Sequence, residues 1–393
     1  MNVAVVAEFY PRAHDPVLGI WAHRQAIAAR DAGADVRVLV LHRPIPPLAT
    51  SPRDLGRETL RLLRQPRRAT LDGIEVEYVR FVSPPRPRTY GSWGAWAAPA
   101  AAVALRRLRR RFPFDLVHAH NAVPAADAVL RARIAAPLVV SVHGGDVFHT
   151  APRSPAGRAA VGRAFATARL VLANSAGMES AARALGAQRA RVVHLGTDLP
   201  PAAALGDPAG VEPPLLVTVG HLVARKRHAD VLRAMARLRD RRIDLRYLVI
   251  GDGPERPALE RLTAELGLGD RVELAGQLDH ATAVRRARAA SLFVLPSVDE
   301  AFGVAYVEAM AGGVPAIGVR GEAGPEELAA AGGGIRLVPP GDVAALATAI
   351  GELVEDRGAL RALGAAARAT VEAEFTWERC GRETVRAYED ALR

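Results

Sequence analysis

The chain has 393 residues and a single cysteine, Cys380. One thiol excludes an internal disulfide and a cysteine-based metal site, and a reducing cytoplasm is the compartment expected. Aromatic residues make up only 5% and no recognition module is visible, which argues against a nucleic-acid partner. No apolar run reaches the length of a membrane-spanning helix. The best candidate, AWAAPAAAVAL over 95–105, is too short and carries a proline. The opening MNVAVVAEFY has no basic region and passes straight into a strand pattern, so no secretory leader is expected. Between Glu8 and Gly19 there is no GxGxxG, which speaks against dinucleotide binding. Lysine is nearly absent too: Lys226 stands alone and every other strong cation is arginine. The pattern is one that a codon bias toward arginine would leave. The surviving lysine is either a chance remnant or a compact point charge that a guanidinium cannot mimic.

What is present fits a globular protein of two or three domains, 50% hydrophobic and 24% charged. The charge is uneven. Residues 1–198 carry 28 arginines against 14 acids, a balance of +14, whereas the remainder carries 24 cations against 28 acids, or −4. On charge alone a basic front half points to something anionic there: a membrane surface, a nucleic acid or a phosphorylated substrate, with a solvated arginine-rich face as the plain alternative.

Continuous apolar runs recur along the chain, as buried parallel strands require. In the front half they are NVAVVAE (2–8), VRVLVL (36–41), IEVEYVRFV (74–82), DLVHAH (115–120), LVVSVH (138–143), LVLANS (170–175) and RVVHLG (191–196). Helical stretches separate most of them, the first over 19–32. The segment 199–214, LPPAAALGDPAGVEPP, has no periodicity and reads as a linker. The pattern restarts with LLVTVG (215–220) and continues through LRYLVIGDG, RVELAG, SLFVLPS, VPAIGV and GIRLV. The expected organisation is an α/β domain over 1–198, the linker, a second α/β domain over 215–374, and a terminal helix over 375–393 packing back toward the first domain. Ligands of such sheets bind beyond the carboxyl ends of the strands.

One such end carries EAFGVAYVEAMAGGVPAIG, with Glu300 and Glu308 eight residues apart. Glu300 should sit where SLFVLPS ends, and Glu308 about two turns into a following helix. Backbone N–H groups at Phe302, Gly303 and Val304 would open that helix and favour an anion. Taken alone, the pair is equally a capping carboxylate and a solvated glutamate.

The wider spacing resembles the E-x7-E signature of retaining glycosyltransferases of family 4. VTVGHLVARKRHADVLRAMARL, YLVIGDGPERPALERLTAELGLGDRVELAGQL, SVHGGD and YPRAHDPVLGIWAHRQAIAA resemble that family in the same order. The likeness covers nearly all of the chain and is weakest over 45–110. It implies the GT-B fold, two Rossmann-like doubly wound domains facing across a cleft, and transfer of a sugar from a nucleotide diphosphate sugar, uridine-linked by family habit. The family generally needs no bound metal, and no Asp-x-Asp follows a strand here, so neither metal nor cofactor is expected. Arg225 and Lys226 would then stabilise the departing diphosphate. By the same resemblance Glu308 would hold the ribose hydroxyls, Glu300 would face the donor sugar, and Phe302, Gly303 and Val304 would offer backbone N–H groups. Gly19 would let its loop touch the diphosphate. His143 of SVHGGD would reach the donor sugar, with Asp146 orienting it or the acceptor. His118 and His120 are expected on opposite strand faces, His120 with Asn121 lining the acceptor side. Relatives often carry arginine where His221 follows Gly220, so either Arg225 compensates or His221 is protonated beside the diphosphate.

In RDLGRETLRLLRQPRR (53–68), arginines recur every three or four residues beside leucines, and RRLRRR (106–111) adds charge. Such a helix can lie on an anionic membrane. The acceptor expected is a glycan, a lipid-linked sugar or a small molecule, and a peripheral position on the inner membrane face is compatible. Two competing readings are an epimerase or hydrolase of the same fold, which would act without acceptor, and a non-catalytic nucleotide-sugar binding protein.

Overall fold

In the computed structural model, which describes residues 1–48 and 50–393, the chain forms two compact units. The first comprises Met1–Leu195 and Trp377–Arg393, the second Gly196–Thr376.

The first unit is built on an eight-stranded sheet. Its strands are β1 (Asn2–Ala7), β2 (Asp35–His42), β3 (Arg68–Leu71), β4 (Ile74–Arg80), β5 (Leu116–His120), β6 (Leu138–Val142), β7 (Leu170–Ala173) and β8 (Ala190–Val192). The order is β3-β4-β2-β1-β5-β6-β7-β8, parallel except for the β3–β4 hairpin. The inner strands are apolar on both faces because helices cover both, and Val3, Val5, Val38, Leu116 and Val139 are fully buried. Registers Val5↔His118 and Ala7↔His120 place the ends of β1 and β5 side by side.

The terminal helix Trp377–Leu392 belongs to this unit. It buries Cys380, Gly381, Thr384, Ala387, Tyr388 and Ala391, the stripe that a 3.6-residue period predicts. Gly381 allows its closest approach: a Cβ there would lie 2.1 Å from the carbonyl oxygen of Ala28 on helix Ile20–Asp31.

One expectation for this unit is corrected. The basic segment 53–68 is not one helix. Its helix spans Leu55–Leu63, and Arg68 opens β3, whose antiparallel pairing with β4 outweighs helix periodicity. The arginines of the 106–111 run are not all free. Arg111 pairs at 3.2 Å with the buried Glu77, and Arg107 pairs with the same carboxylate.

The second unit carries six parallel strands: β9 (Leu215–Val219), β10 (Arg246–Ile250), β11 (Val272–Gly276), β12 (Leu292–Val294), β13 (Ala316–Val319) and β14 (Ile335–Val338). Their order is β11-β10-β9-β12-β13-β14. The segment 199–214 does not hang free as a tether. Asp207 pairs with Arg361 at 2.8 Å and Ala209 enters the core of this unit. Among the described residues, no helix is long and apolar enough to cross a membrane.

Candidate active site

In the second unit the site grows from the ends of β9 and β12. Gly220 follows β9 and donates its N–H to the Ile250 carbonyl at 2.9 Å. A Cβ on the neighbouring Gly251 would lie 2.0 Å from the Gly220 oxygen, so only glycine lets the two strand ends meet. His221 is exposed just beyond. Arg225 and Lys226 occupy one 3-10 turn, Ala224–Lys226, pinned by Val298 N–H donating to the Arg225 carbonyl at 2.9 Å. The Arg225 guanidinium reaches the Asp299 carbonyl at 3.4 Å.

That turn aims the only lysine at Glu300. Lys226 Nζ donates to Glu300 Oε2, and both side chains are about nine-tenths buried. Ser297 Oγ donates to the same oxygen at 2.9 Å, and the Glu300 N–H is held by Glu322 at 2.8 Å. Burial works to raise the Glu300 carboxyl, but the charge and hydrogen bond of Lys226, aided by Arg225 and Ser297, outweigh it and leave the group below its ordinary value.

Phe302 turns its ring into the core, 5.6 Å from Phe375, so only its backbone is available to a ligand. Gly303 stands at φ +82°, a left-handed turn that starts helix Val304–Met310. Glu308 lies in the second turn of that helix. Its Oε1 is hydrogen-bonded to Nε2 of His280 at 2.6 Å, a partner no motif announced.

In the first unit, β5 and β6 end in three histidines. The expectation that His118 and His120 face opposite ways is corrected. Residues two apart on a strand share a face, and their rings lie 4.5 Å apart. His118 is held between Tyr388 and Ser141, 2.7 Å from each hydroxyl. His120 Nδ1 meets His143 Nε2 at 3.0 Å, with the rings stacked. Burial holds His143 down at about 4 and His118 at about 3. His120 lies well below its ordinary value through burial, with repulsion from the other two rings. All three imidazoles are therefore neutral near pH 7. The outer nitrogens, His120 Nε2 and His143 Nδ1, are buried without a hydrogen-bond partner.

Asp146 does not orient His143. Its carboxylate accepts the backbone N–H groups of Ala122 at 2.7 Å and Val123 at 3.2 Å, fastening the turn that carries Asn121 at φ +74°. Burial raises the Asp146 carboxyl to about 6 against the pull of those hydrogen bonds. Asn121 and Asp146 line a cavity of about 580 Å³ together with Arg86, Tyr90, Thr150 and Arg153. Behind it, the buried Glu8 accepts the Tyr90 hydroxyl at 2.5 Å, and Arg86 lies 3.8 Å from the same carboxylate. Gly19 is buried at φ +65°, where a Cβ would meet the Phe9 carbonyl carbon at 2.2 Å. Its glycine is thus demanded by its own chain.

Among the described residues no group of three or more His, Cys, Asp or Glu side chains is placed to hold a metal ion. The residues that motif reading did not find, His280, Ser297, Glu322, Glu8, Arg86 and Arg153, share no local signal. The first three lie in the second unit and the last three in the first, each on a separate segment of its own unit.

Comparison with known proteins gives two family matches. Residues 18–200 match the model "Glycosyltransferase Family 4" and residues 208–370 match "Glycosyl transferases group 1". A 2-deoxystreptamine glucosyltransferase of Streptomyces kanamyceticus is 31% identical over 302 residues, covering 68% of this chain and 76% of that protein. An MMP alpha-(1->4)-mannosyltransferase of Mycolicibacterium hassiacum is 36% identical over 165 residues, 42% of this chain and 40% of that one. Like it, two further curated relatives are matched over less than half of their own length, 16% and 45%. Among solved structures, the sucrose-phosphate synthase of Thermosynechococcus elongatus superposes with a TM-score of 0.78 at 22% identity, covering 99% of this chain and 98% of that chain. The Anabaena protein HepE, solved with UDP and glucose, gives 0.71 at 22% identity, covering 99% of each. At such identity the likeness is one of fold.

Proposed function

Since the chain belongs to glycosyltransferase family 4 and has that family's two Rossmann-like units, we propose that it is a retaining hexosyltransferase using a nucleotide diphosphate sugar. The observation that carries the reading is the buried Lys226–Glu300 pair beside Arg225, with Glu308 on the next helix. The ammonium keeps two further donors, and with Arg225 it would neutralise the departing diphosphate, the task a divalent ion performs elsewhere. Glu308 would accept from the ribose hydroxyls, and Glu300 from a hydroxyl of the donor sugar. The first unit would hold the acceptor, in the cavity of Asn121 and Asp146.

The proposed reaction is a front-face substitution. The acceptor oxygen forms a bond to the anomeric carbon on the face from which the diphosphate leaves, and the carbon–oxygen bond to phosphate breaks through an oxocarbenium-like state. The acceptor proton passes to the leaving phosphate. No enzyme nucleophile is needed, and retention follows. His143, neutral at working pH, would hydrogen-bond the donor sugar rather than carry charge. The exposed His221 would sit near the diphosphate. A uridine-linked donor is favoured by family habit, and the acceptor is a glycan, a lipid-linked sugar or a small molecule of glycoconjugate synthesis.

The test is thermal unfolding against a panel of nucleoside diphosphates and their sugars with excess chelator. A ligand at about a hundred times its dissociation constant adds about 2.7 kcal/mol. A shift with one base that persists in chelator supports a metal-independent donor site. No shift with any of them overturns the donor reading. Sugar release without acceptor would instead favour a hydrolase.

A further inference from the structure

Helix His280–Arg288 grips the Glu308 segment at both of its ends. At its carboxyl end Arg288 Nε donates to the Glu308 carbonyl at 2.9 Å. The same guanidinium reaches the Asp198 carbonyl at 2.6 Å. Gly312 makes room for this arm, because a Cβ there would lie 2.6 Å from Arg288 Cγ. At its amino end His280 Nε2 meets Glu308 Oε1 at 2.6 Å. The first grip fixes the backbone of Glu308 and the second fixes its carboxylate.

The two partners differ in exposure. The Glu308 side chain is 13% exposed and that of His280 40%. The imidazole therefore faces solvent while the carboxylate is recessed. A carboxylate has about four lone-pair directions on two oxygens, and a vicinal diol uses two of them. A recessed glutamate without a partner would sample several rotamers, each presenting the oxygens differently. One strong hydrogen bond to Oε1 selects one of them and leaves Oε2 for a ligand.

We propose that His280 is a positioning residue for ribose recognition, acting through Glu308. The inference rests on the donor reading above and adds to it a residue outside the E-x7-E motif. His280 need not touch the nucleotide. It sets which carboxylate oxygen the ribose diol meets, and so sets discrimination between ribonucleotides and analogues lacking those hydroxyls. The imidazole only has to donate, so a side-chain amide of similar reach can replace it in part.

The experiment measures binding of UDP, GDP and ADP by calorimetry, then compares the tightest with its 2′,3′-dideoxy analogue. In the intact protein the ribonucleotide should bind at least tenfold tighter. His280→Ala should shrink that ratio about fivefold or more by weakening the ribonucleotide, with dideoxy binding unchanged. Unchanged dideoxy binding also shows that the variant is folded. His280→Gln should recover much of the ratio, and Glu308→Gln should abolish it. With the cognate donor, His280→Ala should raise KM several-fold and leave kcat within about twofold. An unchanged ratio in His280→Ala, or equal loss of ribo- and dideoxynucleotide binding, overturns the inference while the donor reading stands. If the intact protein binds none of the three diphosphates, the donor reading fails and this inference fails with it.

Discussion

Lys226 Nζ and the Glu300 carboxylate, 74 residues apart in the chain, form a buried ion pair at the adjoining ends of β9 and β12. Removing the ammonium leaves Glu300 charged and recessed, with the Ser297 hydroxyl and the nearby Arg225 charge remaining. Lys226→Ala should cut turnover at saturating donor at least tenfold, about 1.4 kcal/mol of barrier. It should also destabilise the second unit by about 3 kcal/mol, the usual cost of orphaning a buried charge. Single-turnover kinetics and chemical denaturation read the two effects separately. Unchanged turnover would remove Lys226 from the diphosphate site, even if the stability loss were found.

The same pair predicts a pH dependence. Glu300 is held below its ordinary value by Lys226 and its neighbours in spite of burial. Its folded-state value lies under its unfolded one, so its contribution is present above about pH 4.5 and is lost as pH falls through the folded value. In Lys226→Ala burial acts unopposed by that ammonium. Glu300 should then take up a proton at higher pH, visible as a new carboxyl titration by NMR. A Glu300 titration that does not move would mean that the ion pair contributes little.

The histidines of the first unit predict a stronger effect. His118 at about 3, His143 at about 4 and His120 well below its ordinary value are all depressed, chiefly by burial. Each contributes stability that is full above about pH 6.5 and is lost as pH falls toward its folded value. Asp146, raised to about 6, runs the other way: its contribution is present below about pH 4 and lost as pH rises through 6. Three histidine protons outweigh one aspartate proton. These four groups together should lower the unfolding free energy of this unit by about 2 to 3 kcal/mol per pH unit near pH 5, and His42, held at about 4 chiefly by burial, adds in the same direction. Denaturation at pH 5 and pH 7 decides it, and stability that is flat or rising on acidification refutes the neutral cluster.

Gly19 supplies a local prediction. A side chain there needs a left-handed backbone and meets the Phe9 carbonyl at 2.2 Å. Gly19→Ala should cost about 3 kcal/mol or more, combining strain with overpacking. A variant within 0.5 kcal/mol or so of the parent would mean that the Phe9–Tyr10 loop yields easily.

How far the sequence carried this picture can be judged from these residues. Thirteen of the fourteen strands stand out as apolar runs because strands buried on both faces must be written that way. Strand β3, RATL, escapes because an edge strand of four residues with a half-exposed pattern leaves no such run. The placement of Arg225, Lys226 and Glu300 beyond strand ends, and of Glu308 on the helix that follows, is legible because apolar runs mark the strands and the spacing marks the rest. That His280 meets Glu308, or that Arg86 and Arg153 join Asn121 around a cavity, depends on how separate segments pack. No local pattern records that. The packing of 199–214 was hidden for a similar reason, since irregular backbone can still carry an Ala209 into a core.

The helix Leu55–Leu63 carries the last prediction. Leu62 anchors it, while Leu55, Leu60 and Leu63 remain 49%, 49% and 44% exposed. Leu48, Val82, Trp96 and Val103 of the same unit are exposed as well. Among the described residues Arg57 pairs with Asp54 and Arg61 with Glu58 near the surface, contacts worth little in water and easily exchanged for lipid phosphates. Leucines half in water beside exchangeable arginines suit the boundary of an anionic bilayer, where apolar burial and charge attraction add. The protein should sediment with vesicles containing acidic lipid, less so as salt rises. Leu60→Glu with Leu63→Glu should weaken that association about tenfold, the order expected for two half-exposed leucines. Both positions point away from the core, so thermal unfolding should move little. Equal binding to neutral and acidic vesicles would remove the arginines from the association, and binding to neither would leave this basic half facing water and favour a free acceptor over a lipid-linked one.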